Sequence, residues 1–249
     1  MSNLARFFVE ADQIDQGKVV IYGDDAHHIT RVLRLTHGTT IECVDPSGTV
    51  HRVSIEELGS KVVGVIQGTS TESQESPVYF TLFQGLAKGD KMDLVVQKAV
   101  ELGASEIVPF SSRFSVVKLD PKQAENRKKR WERIALEAAK QCGRTRLATV
   151  SDLHSFKELV AEVQKRHSEG NLVLLAYEGE KQVSLGDLTG NPKAVSAIVG
   201  PEGGFAPDEV EELTRAGAQV CTLGPRILRT ETAGLVMLSV LGYKWGDLG

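Results

Sequence analysis

Three charged residues, Arg226, Arg229 and Glu231, fall within LGPRILRTETAGLVMLSVLGYKW (223–245), where a Gly-Pro turn leads into a segment that is apolar nearly all round. A charge beside an apolar core is costly unless something pairs with it. The partner is a structural group, a second subunit or a ligand. Two other stretches share this mixture of glycine and charge: Tyr177-Glu178-Gly179-Glu180 and Gly200-Pro201-Glu202-Gly203-Gly204-Phe205. Glycine lets a backbone come close to a ligand, and proline fixes the turn around it. These loops do not read as a phosphate cradle. No GxxxxGK followed by Ser or Thr is present, and GxGxxG fails at 200–205. Glu178 and Glu202 would also repel a pyrophosphate. The loops suit a ligand with little negative charge, such as an adenosyl group carrying a cation. Any one of them is explained as a tight turn that needs glycine; three at adjacent strand ends point to a site.

The elements that must position these loops are legible on either side. NLVLLAY (171–177), AVSAIVG (194–200) and QVCTLG (219–224) read as strands, as do YFTLFQGLA (79–87) and EIVPF (106–110). Between them come helical patterns. Met92, Val95, Val96, Ala99, Val100 and Leu102 mark one that Gly103 closes. Asp120-Pro121 opens a long one to about Cys142, and others cover 156–166, 207–217 and the C-terminal segment, with Thr230 as the expected N-cap. Such alternation predicts an α/β domain with a largely parallel sheet, whose ligands sit beyond the carboxyl ends of the strands.

The polar stretch QGTSTESQESP (67–77) marks a joint. It divides the chain into a small β-rich module over 1–70, a linker over 71–77 and the α/β domain over 78–249. In the small module, 40–58 reads as a hairpin around Asp45-Pro46-Ser47-Gly48. Only DDAHHITRVLRL (24–35) has helical spacing there, with Ile29, Val32 and Leu33 on one side.

With 249 residues, 41% of them hydrophobic and 25% charged, the chain has material for a sizeable core. A net charge of −4 argues against an indiscriminate polyanion binder, yet leaves room for a local basic face. Cys43, Cys142 and Cys221 are far apart and form no CxxC pair, which fits a reducing compartment rather than a disulfide framework or zinc cluster. MSNLARFFVEADQ lacks the apolar run of a signal peptide, and no stretch approaches a membrane span. A cytoplasmic protein with no membrane partner is expected.

IVGPEGGF (198–205) and LGPRILRTETA (223–233) together resemble the SPOUT-class methyltransferases. The nearest likeness is to the RsmE family, which methylates N3 of a uridine in small-subunit (16S) ribosomal RNA. RFFV (6–9), HHITRVLRL (27–35), KGDKMDLVVQKAVELG (88–103) and RWERIALEAAKQCGR (130–144) extend the resemblance over nearly the whole chain. Two positions depart from the pattern: Ala148, where a proline is expected nearby, and Ala206, a poor N-cap where serine is common. The resemblance implies an α/β methyltransferase domain with a C-terminal trefoil knot, a PUA-like barrel before it, bound S-adenosylmethionine and a homodimer.

It also implies roles for residues. Backbone groups of Leu175, Gly200, Leu223 and Ile227 would meet the adenosyl moiety, Gly203 would give clearance, and Glu202 would act on the ribose or methionine end. Tyr177, Glu178, Val199, Pro201, Gly224, Leu228, Thr230 and Ala233 would complete the cofactor site. Uridine N3 becomes nucleophilic only if its proton leaves or the resulting anion is stabilised. Arg229 is the first candidate to stabilise that anion, in the manner of an oxyanion hole, with Arg6 second as a base- or phosphate-positioning group. Glu231 would orient an arginine or assist proton removal; its plain alternative is a carboxylate that satisfies a helix dipole. Contacts to ribosomal RNA would come from His27, His28, Arg31, Arg34, Lys88, Lys91, Arg144 and Arg146, as well as Arg6. The run Arg127-Lys128-Lys129-Arg130 is the strongest positive stretch, although such runs are usually solvated helix faces. No metal site is expected, because adjacent His27 and His28 do not converge on a helix. Three rivals stand beside this reading: a SPOUT methyltransferase with another RNA target, a non-catalytic RNA-binding ribosome-assembly protein, and a nucleotide-dependent enzyme of the doubly wound type, which the acidic loops and absent phosphate motifs disfavour.

Overall fold

Strand-forming residues before position 71 build a six-stranded sheet in the computed structural model, which describes residues 4–249. Its strands are β1 (Arg6–Phe8), β2 (Ile14–Asp15), β3 (Lys18–Ile21), β4 (Thr40–Val44), β5 (Val50–Leu58) and β6 (Val62–Ser70). The order is β1-β4-β5-β6-β3-β2, with β1 parallel to β4 and the remaining pairs antiparallel. The ladder ends at β1 and β2, so the expected barrel is an open, curled half-barrel. Phe7, Val19, Ile21, Ile41, Val53 and Ile55 form its core. The β4–β5 turn forms because Asp45 Oδ1 accepts from the amides of Ser47 (2.8 Å) and Thr49 (3.1 Å). Gly48 takes the φ of +86° that closes it.

The one helical stretch of this module departs from the expected phase. Helix α1 (Gly23–His27) passes into a π turn over His28–Val32. The amide of Leu33 reaches back to the carbonyl of His28, and Arg34 ends the run at a φ of +51°. The wider turn rotates the face, so Ile29 is buried while Val32 is 61% exposed and Leu33 also faces water. Arg31 and Arg34 consequently do not share a helix face.

The compact unit around this sheet comprises Met1–Glu75 and also Ala139–Arg146, which no sequence signal assigned to it. Lys140 ion-pairs with Asp25 at 2.8 Å and lies over the Phe7 ring. Arg6 pairs with Glu42 at 2.7 Å and donates to the carbonyls of Gly143 and Arg144. Glu75, expected in a free linker, accepts from the amides of Thr145 (2.8 Å) and Arg146 (3.0 Å) and from Arg144 Nε (3.0 Å).

The second unit, Ser76–Ala138 with Leu147–Gly249, holds a wholly parallel sheet. It is made from β7 (Tyr79–Gly85), β8 (Ala104–Phe110), β9 (Thr149–Val150), β10 (Leu172–Ala176), β11 (Ala194–Val199) and β12 (Gln219–Cys221), in the order β12-β10-β11-β7-β8-β9. The helices are α2 (Lys91–Glu101), α3 (Pro121–Cys142), α4 (Phe156–Ser168), α5 (Pro207–Arg215) and α6 (Thr230–Trp245). Helices α4 and α5 cover one core built on Phe83, Phe110, Val173, Leu175 and Ile198. Met92, Val95, Val96, Ala99 and Val100 of α2 are buried, as are Met237, Leu238 and Leu241 of α6, and the two helices pack together. Among the described residues, no helix is long and apolar enough to cross a membrane. Burial pushes the thiols of Cys43 and Cys221 up to about 12, so neither supplies a thiolate at neutral pH.

Candidate active site

Strands β12, β10 and β11 are neighbours, which brings their three carboxyl-end loops together. The loops and the start of α6 enclose a cavity of about 420 Å³. Tyr177, Glu178, Val199, Gly200, Pro201, Glu202, Leu223, Gly224, Ile227, Leu228, Arg229, Thr230 and Ala233 all line it. Two expected members do not. Leu175 is fully buried in β10, and Gly203 has Phe114 over it, so the clearance it provides is for that residue rather than for a ligand. Ala176, Thr222 and Lys91 also line the cavity, none of them among the residues expected to hold the cofactor.

A buried polar chain holds the cavity's two walls together. Gln84 Nε2 donates to Thr230 Oγ1 at 2.8 Å, and Thr230 Oγ1 donates to the carbonyl of Gly200 at 2.6 Å. Thr230 is therefore not the N-cap of α6. Arg229 is, with its carbonyl accepting from the amides of Thr232 and Ala233 and its side chain making no cap. The tertiary acceptor at Gly200 draws the hydroxyl away from the helix end. Gln84 was missed, although a lone amide in the apolar string YFTLFQG is the kind of signal that marks a buried polar link.

The loop after β11 rests directly on the end of β7. A Cβ at Gly85 would lie 2.3 Å from Pro201 N and 2.7 Å from Gly200 C, which are backbone atoms that cannot rotate away. Gly85→Ala is therefore expected to displace the loop, destabilising the fold by about 2 kcal/mol and weakening cofactor binding roughly tenfold or more. Calorimetric titration beside thermal unfolding checks this; an unaltered affinity would show that the loop does not shape the pocket.

At the mouth, Lys91 Nζ lies 3.1 Å from Glu202 Oε1 and 3.3 Å from Glu231 Oε2. The Glu231 contact is an ion pair without hydrogen-bond geometry, so Oε2 is left with acceptor capacity although its carboxylate is largely buried. Glu202 also accepts from the Lys88 amide at 2.9 Å. Burial alone would raise the Glu202 pKa, but the Lys88 amide, its own amide and the Lys91 ammonium outweigh burial and hold it below the ordinary value. Glu202 thus lines the cavity while its carboxylate is held at the start of α2 by the Lys88 amide and Lys91. The Lys91 ammonium is raised, first by its hydrogen bond to Glu202. Lys91 is therefore an internal link rather than an open RNA contact. Arg226 and Arg229 are both exposed, and neither side chain makes a hydrogen bond or ion pair among the described residues.

The remaining expected RNA contacts divide. His27, Arg31 and Arg34 are exposed on the first unit, while His28 packs edge-on against Phe7. Arg6 and Arg144 are corrected to structural groups: Arg6 is committed to Glu42 and two carbonyls, and the Arg144 side chain is buried against Glu75. Arg146 remains exposed, with only its amide engaged by Glu75. Along α3, Lys128 pairs with Asp152, Lys129 with Glu125 and Arg130 with Asp93, so the basic run is largely neutralised locally. Among the described residues, no cluster of three or more His, Cys, Asp or Glu has metal-binding geometry.

Residues 74–242 match the RNA methyltransferase domain, and residues 21–65 match the RNA methyltransferase PUA domain. The chain is 38% identical to the ribosomal RNA small subunit methyltransferase E of Bacillus subtilis, over 97% of each chain. It is 31% identical to that of Mycobacterium bovis, over 92% of this chain and 87% of the relative. A ribosomal RNA small subunit methyltransferase E from Neisseria gonorrhoeae, solved bound to S-adenosyl methionine, superposes with a TM-score of 0.88 at 31% identity, covering 99% of this chain and 100% of that one. A putative methyltransferase from Legionella pneumophila, in complex with the same cofactor, gives a TM-score of 0.90 at 29% identity, covering 98% and 99%. Its loop-walled cavity, its PUA domain and this likeness over nearly its full length place the chain in the ribosomal RNA small subunit methyltransferase E family.

Proposed function

We propose that this chain transfers a methyl group from S-adenosylmethionine to N3 of a uridine in small-subunit ribosomal RNA. The observation that carries the reading is one cavity, walled by the three strand-end loops, with Arg229 at its edge and its side chain unpaired among the described residues. Its volume falls in the range of small-molecule sites, and its backbone-rich walls carry no phosphate-binding loop. Both features fit an adenosyl ligand with little negative charge. When bound, S-adenosylmethionine supplies a methyl group on a sulfonium, open to in-line displacement.

The chain's own residues position the acceptor and manage its charge. Arg229 stabilises the negative charge that spreads to the uracil carbonyl oxygens as the N3 proton leaves. Glu231, whose Oε2 faces the Lys91 ammonium at 3.3 Å and keeps acceptor capacity, is the candidate to receive that proton. Lys91 holds Glu231 and Glu202 in place. The open half-barrel, through exposed His27, Arg31 and Arg34, helps to hold the RNA. The resemblance supports a trefoil knot in the C-terminal segment and action in the cytoplasm. A homodimer is supported by the same resemblance and by Val240 and Tyr243, which α6 leaves exposed on its outer face.

Methylation of deproteinised small-subunit RNA and of assembled small subunits, both from a strain lacking the protein, tests the reading. Mass spectrometry should find N3-methyluridine in at least one of them. A methyl group on ribose or on another base would overturn the assignment.

A further inference from the structure

The segment after β8 carries an aromatic ring that the fold holds outward. Phe114 is 45% exposed, yet the backbone on both sides of it is pinned. The Arg113 amide donates to Glu209 Oε1 at 2.9 Å, and the Arg113 guanidinium grips both carboxylate oxygens of Asp208. The Ser112 amide donates to Ser115 Oγ at 2.9 Å, and Ser115 is buried. The base of Phe114 stands on the pocket loop: a Cβ at Gly203 would lie 2.6 Å from Phe114 Cβ and 2.9 Å from its carbonyl oxygen. Just before it, Phe110 stacks on Phe205 of the same loop, with ring centroids 5.9 Å apart and planes 11° from parallel. The exposed ring is therefore not the result of a loose loop. It is presented, in a fixed place, against Gly203, the residue between Glu202 and Gly204 of the cavity wall.

We propose that Phe114 is a stacking platform for an unpaired base of the RNA substrate at the mouth of the pocket. The inference rests on the methyltransferase reading and deepens it. N3 lies on the Watson–Crick edge, so the target uridine must leave its pair and its stack before N3 can meet a methyl donor. Proteins that take unpaired RNA bases catch them on aromatic faces. Phe114 offers such a face at the carboxyl ends of the strands. The other strongly exposed rings of this unit lie elsewhere: Tyr79 begins β7 at the opposite end of the sheet, and Tyr243 sits in the last turns of α6. A rigid ring loses little freedom when a base lands on it, which favours binding.

The test uses the full chain, an RNA fragment of the small subunit, and the variants Phe114→Leu and Phe114→Trp. Leucine keeps the Cβ that packs on Gly203 and removes the ring face. Phe114→Leu should raise the RNA Kd and KM about tenfold. It should leave cofactor affinity unchanged, and also the slope of log K against log salt, because no phosphate contact is lost. Phe114→Trp should restore binding, with its fluorescence quenched as RNA is added. Wild-type RNA affinity in Phe114→Leu would overturn the proposal. So would weakened cofactor binding, which would make the residue a loop support, or a lower solution mass, which would make it a subunit contact. Methylation by the wild type that Phe114→Leu leaves unaltered would remove the platform alone. Absent methylation by the wild type, with RNA binding still weakened in Phe114→Leu, would remove the enzymatic reading and leave the platform.

Discussion

Replacing Arg229 by alanine is expected to lower methyl transfer by about 10²- to 10³-fold, the range seen when a donor to a developing oxyanion is removed. Cofactor affinity should stay near that of the wild type. The structure separates this effect from a loss of folding. The Arg229 side chain makes no hydrogen bond or ion pair among the described residues, and only its carbonyl supports the first turn of α6. A cation at a helix N-terminus also opposes the helix dipole. Alanine should therefore leave the unfolding temperature unchanged or raise it slightly. A charge that is locally unfavourable and meets no partner among the described residues is explained by what it meets from outside the chain. Single-turnover kinetics beside calorimetric titration of the cofactor give the two numbers. Unchanged turnover, or a parallel collapse of cofactor binding, would sink the catalytic assignment.

The second large effect concerns stability. Glu75→Ala should destabilise the first unit by about 3 kcal/mol, as breaking a largely buried ion pair does. Its carboxylate serves the Arg144 guanidinium and the amides of Thr145 and Arg146 together, so one truncation removes several charge-assisted hydrogen bonds. The returning segment Ala139–Arg146 is then less firmly held in the unit. Glu75→Gln keeps an oxygen for the amides and should recover part of the loss. Urea unfolding followed by fluorescence checks the series; a midpoint unmoved in Glu75→Ala would mean that the segment is held by its other contacts alone.

Glu75 also shows where a sequence stops being legible. Its surroundings, QGTSTESQESP, are polar and rich in serine and threonine, and read as a linker by composition. Composition reports a cost averaged over neighbours in the chain, whereas Glu75 bonds to residues some 70 positions away. Arg6 and Arg144 failed in the same way: as strings they are basic residues open to RNA, and only the fold shows that carboxylates and carbonyls already occupy them. The 24–35 helix failed for a local reason. A single widened turn shifts the phase of every residue after it, and 3.6-residue spacing does not announce that shift.

The parallel domain was far more legible. Runs such as AVSAIVG, ended by Gly-Pro, specify both a buried strand and the place where it must stop. Once β10, β11 and β12 are neighbours, their loops have to meet at one edge. The sequence by itself determined the α/β order, the loops that wall the site and the family, because these depend on local periodicity and short motifs. Tertiary structure alone decided how each charge is used. Thr230 leaves its helix end for Gly200, Glu202 turns to Lys91, and the Arg229 side chain is left without a partner among the described residues. A polar side chain takes the partner that the fold brings within 3 Å or so, and that partner is rarely near in sequence.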